Sequence, residues 1–255
     1  MIDPPLPEDW RELQRGVCRL FNEIGLTADV EVTLTTPRGA VTVDVFAVDN
    51  QSVDKIQYIV ECKNWSSAIP QSVVHSFTTV MHETGANIGF IVSKHGLQAG
   101  AIQYTDSTNI IGLTYYDIQK RYFSVWWQKV FCSKVADAAE YVNQYVEPIN
   151  SRRERFVSDL PAHQVAEFRE LQRRYAAFGM LMWLMDIGNV VAQYRGNPPP
   201  DIDHYKSNLQ DALGLEFAFR SELFRDLLAE MCLKLQEIEQ QFHAFFGENI
   251  FLREF

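Results

Sequence analysis

Positive charge is scarce in this chain: 23 Lys and Arg stand against 33 Asp and Glu, a formal net charge of -10 at pH 7. Indiscriminate nucleic-acid binding is thereby disfavoured, because affinity for phosphate depends on a local excess of Lys and Arg. A nucleic acid would have to meet a local basic rim, a metal-charged site or a partner. Cysteine is sparse too. Cys18, Cys62, Cys132 and Cys232 show no paired metal-ligand spacing, and the start, MIDPPLPEDW, is acidic and proline-bearing where a secretory signal is basic and then apolar. Structural zinc is therefore not indicated, and reduced thiols in a cytoplasmic protein are expected. Long apolar runs are also missing. The most apolar helix-length window, residues 175–194, contains Asp186, Asn189 and Gln193, which are costly at membrane depth, so no membrane span is expected. No internal repeat is found.

A hydrophobic content of 47% over 255 residues is nevertheless enough to fill one large core or two smaller ones. Residues 8–24 place Trp10, Leu13, Val17, Leu20, Phe21 and Ile24 at helical spacing, with Gly25 as the stop, which predicts an amphipathic helix. Its Glu12 and Gln14 lie near the start, where a side chain can reach a sheet packed alongside. Residues 27–35 alternate as a strand, Pro37-Arg38-Gly39 makes a turn, and strands follow over 41–48 and 55–63. Pro70 suits the first turn of a helix reaching Glu83, and 87–93, NIGFIVS, reads as a buried strand, so a parallel crossover is expected. A helix over 97–106 and a strand over 110–115 repeat that unit. The order α-β-β-β-α-β-α-β implies an α/β fold with a mixed sheet between helices.

Beyond Tyr115 strand signals vanish. Residues 128–146, 162–193 and 216–246 carry apolar residues at three and four spacing, interrupted by Glu147-Pro148, by Asn197-Pro198-Pro199-Pro200 and by Gly214. An all-α helical C-terminal domain, 121–255, is expected after an α/β domain, 1–120. Between them lies an aromatic band in which Phe123, Trp126, Trp127 and Phe131 read as junction core, although such rings can also stack on bases. Arg152, Arg153, Arg155, Arg169, Arg173 and Arg174 read as solvated helix faces, phosphate contact being their other use.

The chemistry concentrates in VTVDVFAVDNQSVDKIQYIVECKNW, residues 41–65. An antiparallel hairpin turning between Ser52 and Val53 sets Val48 opposite Gln57 and Asp44 opposite Glu61. Directly opposed Cβ atoms lie about 4.5–5.5 Å apart, and alternation brings Lys63 to the same face while Cys62 points away. Two carboxylates suit a hard divalent cation such as Mg2+, and a lysine beside them can orient a water or offset charge on phosphorus. The helix after Lys63 adds Gln71, Ser72 and His75, within possible reach of a phosphate or a metal; for His75 a plain polar position on a helix face is the competing reading.

In this order the segments WRELQRGVCRLFNEIG, VDVFAVD, YIVECKNW, VVHSFTTVMHETGANIGFIVS and TNIIGLTYYDIQ resemble the PD-(D/E)xK nuclease superfamily, and within it the Mrr-like restriction endonucleases, over about residues 10–117. The resemblance implies a restriction-endonuclease-like fold in which Asp44 and Glu61 hold Mg2+, with Mn2+ as substitute, and Lys63 assists the attacking water. Glu12 is a candidate third metal ligand, and Gln14 falls near the family position. Gln71 and His75 are candidate supporting residues. The proline that usually precedes the aspartate is replaced by Val43. The implied activity is a metal-dependent DNA endonuclease of prokaryotic restriction or anti-phage defence, working as a homodimer where both strands are cut, or with a partner protein of such a system. Two other readings stand beside it: a branched-DNA resolvase of the Holliday-junction type, and a non-catalytic nucleic-acid-binding or adaptor module. The helical half lies outside the resemblance.

Overall fold

The computed structural model describes residues 1–106, 108–186, 199 and 201–252. It divides into two compact units, Met1–Lys129 and Val130–Phe255. In the first, Asp9 opens helix α1 (Trp10–Glu23) by accepting the Glu12 N–H, and the Glu12 carboxylate in turn takes the Glu8 N–H at 2.5 Å. The Asp9 bond satisfies an amide that a helix start leaves without a partner, and the Glu12 bond ties down the residue before the cap. Leu13, Val17, Leu20 and Phe21 form the buried stripe, and Gly25, at φ 99°, turns the chain out of the helix.

Strands β1 (Thr27–Thr36), β2 (Gly39–Val48) and β3 (Gln57–Lys63) follow, then α2 (Gln71–Thr84), β4 (Ile88–Ser93), α3 (Ala99–Thr105), β5 (Ile110–Thr114) and α4 (Tyr115–Trp126). The sheet runs β1-β2-β3-β4-β5, antiparallel through β3 and parallel from β3 to β5. It is the mixed sheet flanked by helices that the sequence pattern implies. Helix α1 packs on β1, β2, β3 and α4, and α2 packs on β1, β4 and α3. A Cβ on Gly16 would lie 2.3 Å from the Tyr115 hydroxyl, so glycine is what lets α1 approach the start of α4. The aromatic band is core: Trp126 and Trp127 are 0% exposed, and the Trp126 indole N–H donates to Glu23 at 2.7 Å.

A π-helical stretch, Trp127–Cys132, leads into α5 (Ser133–Val146), the first helix of the second unit. The others are α6 (Ser151–Ser158), α7 (Ala162–Trp183), α8 (Ile202–Leu213) and α9 (Phe224–His243). Residues 187–193 of the helix expected over 162–193, with Asn189 and Gln193, lie outside the described residues, as do Asn197, Pro198 and Pro200. No helix among the described residues is long and apolar enough to cross a membrane. The helix expected from Glu216 starts only at Phe224, because the Glu230 carboxylate captures the N–H groups of Arg220 and Ser221.

One of the arginines read as solvated is not. Arg153 is 1% exposed; its Nη1 donates to the carbonyls of Gln144, Tyr145 and Glu147 at the end of α5, and its Nε and Nη2 to Glu154. Arg169 also binds Glu154, while Arg173 pairs with Glu170 and Arg174 with Glu216. The hydrogen bond from Arg169, followed by those from Arg153, holds the Glu154 carboxyl down at about 2.

Arg153→Ala is expected to cost about 3–5 kcal/mol of stability, since it strands buried carbonyls and half of an ion pair; chemical denaturation followed by circular dichroism measures it. The Glu154 pKa lies below its ordinary value of 4.5, so its pairing contributes stability above that value and loses it as pH falls toward 2. Glu154→Gln should flatten the fall in melting temperature between pH 5 and pH 2, on the order of the interval between those pKa values. Its side chain is 43% exposed, and solvent screening keeps the effect modest.

Candidate active site

The β2–β3 ladder has the register expected from the turn, Val48 opposite Gln57 and Val45 opposite Val60. Regular pairing stops there, one step short of Asp44 and Glu61. On the other side of β2, pairing with β1 is also interrupted, between Val30–Val45 and Val32–Val43, where Glu31 adopts a left-handed φ of 53°. A left-handed residue reverses the alternation of a strand. Accordingly Val43 shares the core of α2 with Val32 and Leu34, together with Phe46 and Ile59, although alternation alone would set Val43 and Phe46 on opposite faces. The strands exchange faces at Glu31 and Asp44. The ladder thus keeps the register expected from the turn but does not extend to Asp44 and Glu61.

The carboxylate of Asp44 repairs the opening. Its Oδ2 accepts the Cys62 N–H at 2.6 Å, and its Oδ1 accepts Nε2 of Gln14 at 2.7 Å. Gln14 comes from α1 and is 5% exposed. On β3, Lys63 Nζ meets Glu61 Oε1 at 2.5 Å, both side chains about a quarter exposed at 24% and 27%. Cys62 between them is buried, and burial first, then the charges of Asp44 and Glu61, push its thiol well above its ordinary pKa. It is neither a thiolate ligand nor a nucleophile near neutral pH.

Asp44 and Lys63 line a cleft of about 400 Å³ whose walls include Trp10, Asn64 and Trp65. The Asn64 Oδ1 is buried there without a hydrogen-bond partner. Among the described residues no group of three or more His, Cys, Asp and Glu is arranged to hold a metal ion. Two carboxylates suffice for Mg2+, which keeps most of its waters. The donor chemistry fits: Asp44 and Glu61 offer hard oxygens, and a carboxylate oxygen with one hydrogen bond retains a second lone pair.

The other candidates have partners of their own. Glu12 spends its carboxylate on the helix cap, and the side chain of α1 that reaches Asp44 is that of Gln14. Gln71 and His75 are exposed, bonded to each other at 3.2 Å, with the imidazole 4.5 Å from the Tyr104 ring; among the described residues no hydrogen bond or ion pair joins either to Asp44, Glu61 or Lys63. Trp10 and Trp65 were not singled out by sequence reasoning. Their signal was an indole at the first position of an otherwise amphipathic helix, and another directly after Lys63-Asn64.

Residues 7–120 match the Mrr_cat family model, described as a restriction endonuclease. No curated protein matches the chain. A solved structure titled "Crystal Structure of Protein of Unknown Function AF1548" aligns with 67% of this chain and 100% of its own at 14% identity and a TM-score of 0.38, too remote a likeness to bear on fold or function.

If Gln14 orients Asp44, Gln14→Leu should lower stability by about 1.5–3 kcal/mol, the range of a hydrogen bond to a charged group. Gln14→Glu brings a second carboxyl against Asp44; its destabilisation should be greater at pH 8, where both are charged, than at pH 5. Urea titrations at the two pH values test both.

Proposed function

We propose that the Mrr-type restriction-endonuclease domain formed by residues 7–120 is an active, Mg2+-dependent endonuclease that hydrolyses phosphodiester bonds of DNA, in prokaryotic restriction or anti-phage defence. The observation that carries this reading is an Asp44 carboxylate with both oxygens held by hydrogen bonds in the wall of a cleft that Lys63 also lines, with Glu61 paired to that lysine. A non-catalytic scaffold has no use for an oriented acid beside a second acid and a lysine.

Asp44 and Glu61 would hold the ion, Mg2+ or Mn2+. Such an ion, when bound, polarises a phosphoryl oxygen and acidifies a water. The remaining work belongs to the chain. Gln14 and the Cys62 N–H fix the plane of the Asp44 carboxylate, so little reorganisation is needed when substrate arrives. Lys63, one alternation step from Glu61, carries its ammonium to the cleft, where it can orient an attacking water and offset negative charge growing on the phosphoryl oxygens. The Cys62 thiol is buried between the two charged side chains, and direct attack by water, without a covalent enzyme intermediate, is the reaction that two acids and a lysine support.

The helical unit, Val130–Phe255, is assigned substrate selection, dimer contacts or engagement of a partner protein. A homodimer would supply two active sites for cutting both strands.

Plasmid nicking and linearisation with Mg2+ or Mn2+ test the reading. Asp44→Ala, Glu61→Ala and Lys63→Ala should each reduce the rate by about 100-fold or more, the scale of losing one group that stabilises transition-state charge, and EDTA should abolish it. Equal cutting by wild type and all three variants would sink the assignment. Paired nicks near the branch of a four-way junction, with little cutting of linear duplex, would favour the resolvase alternative.

A further inference from the structure

Trp10 and Trp65 are 42% and 43% exposed and stand in the walls of the cleft that Asp44 and Lys63 line. Trp126 and Trp127, in the same unit, are fully buried, and the two indoles at the cleft are not. Tryptophan is highly buried on average, and two indoles half in solvent beside one site are a concentrated recognition surface. Each has a cation at its face: the Arg11 guanidinium lies 4.6 Å from the Trp10 ring centroid, and Lys63 Nζ lies 5.9 Å from that of Trp65. The rim is otherwise acidic, with Glu8 and Asp9.

These features select one kind of occupant. An acidic rim on an acidic protein gives little affinity through phosphate contacts. Indole faces bind flat aromatic groups by stacking, which does not depend on net charge. In a duplex the base faces are covered by their neighbours, whereas an unpaired strand presents them. We propose that Trp10 and Trp65 are stacking platforms for unpaired DNA bases, so that the strand reaching Asp44 and Lys63 is single-stranded, at a fork, a flap or an opened segment. This deepens the nuclease reading and rests on it for the fate of the strand, but not for the binding.

The test uses the full chain and fluorescence anisotropy of a labelled oligo(dT) strand and of a blunt duplex of equal length, in EDTA to prevent cutting, with cleavage of both measured in parallel with Mg2+. Oligo(dT) should bind at least about tenfold more tightly than duplex. Trp10→Ala and Trp65→Ala should each weaken it about tenfold, within the range for one base–aromatic stack, and the phenylalanine variants should recover most of the loss. Affinity should fall only shallowly with salt, since few phosphates are neutralised. Should an alanine variant fail to fold by circular dichroism, the leucine variant, which keeps apolar bulk without a π-face, replaces it. Equal affinity for strand and duplex, or wild-type affinity in folded variants at both positions, overturns the proposal. Metal-dependent cutting with unchanged binding in the variants removes the platforms and leaves the nuclease. Strand binding lost in the variants of a protein that cuts nothing leaves the platforms and removes the nuclease.

Discussion

The bond from the Cys62 amide to the Asp44 carboxylate is the contact around which the first unit is arranged. A strand pair that stays regular satisfies its amides with carbonyls; here β2 leaves the ladder after Val45, and the amide that would lose its partner is taken by a side chain. A buried N–H without an acceptor costs about 1–3 kcal/mol. The acid proposed for the site therefore also closes the break in the ladder, and its second oxygen, bonded to Gln14, ties α1 to the same point. Packing then follows from this junction: Gly16 admits Tyr115, and the stripe from Leu13 to Phe21 covers β1 to β3.

Backbone strain falls beside the proposed site. Glu31 takes a left-handed backbone that a side-chain-bearing residue adopts at a cost, and the compensation is the exchange of strand faces that carries Val43 into the α2 core and leaves the Asp44 carboxylate turned toward α1 and the Cys62 amide. The acidic character of the chain acquires a local meaning here. Glu8 and Asp9 cap α1 or flank the cleft, Lys63 among the described cleft-lining residues is already matched to Glu61, and the Arg11 guanidinium lies over the Trp10 ring. Recognition at such a rim has to come from a bound cation or from apolar surface, and the indoles of Trp10 and Trp65 are that surface.

The helical unit is held by another kind of contact. Arg153 gathers three carbonyls at the end of α5 and shares Glu154 with Arg169, so one buried guanidinium joins α5, α6 and α7. Around it Tyr145 stacks on Phe242, and Phe168 meets both rings edge-on. Arginines that periodicity places on a helix surface can be interior when carbonyl ends converge on them, since a fork of donors satisfies several acceptors at once.

Local pattern by itself determined most of the first unit's fold: α1 with its glycine stop, the hairpin register and the parallel crossovers; it also brought forward Asp44, Glu61 and Lys63 as the proposed reactive set. These follow from periodicity, turn residues and side-chain alternation, which are properties of neighbouring residues. Tertiary structure alone decided the rest. That Glu12 is spent on a helix cap while Gln14 holds Asp44 depends on how α1 is rotated against the sheet; that Asp44 leaves the ladder depends on the φ of Glu31 across the strand pair. That His75 meets Tyr104, that Arg153 is buried, and that Trp10 and Trp65 rather than Trp126 and Trp127 are exposed depend on which surfaces other elements cover. Burial and hydrogen-bond partnership are set by residues distant in sequence, and spacing along the chain carries no record of them.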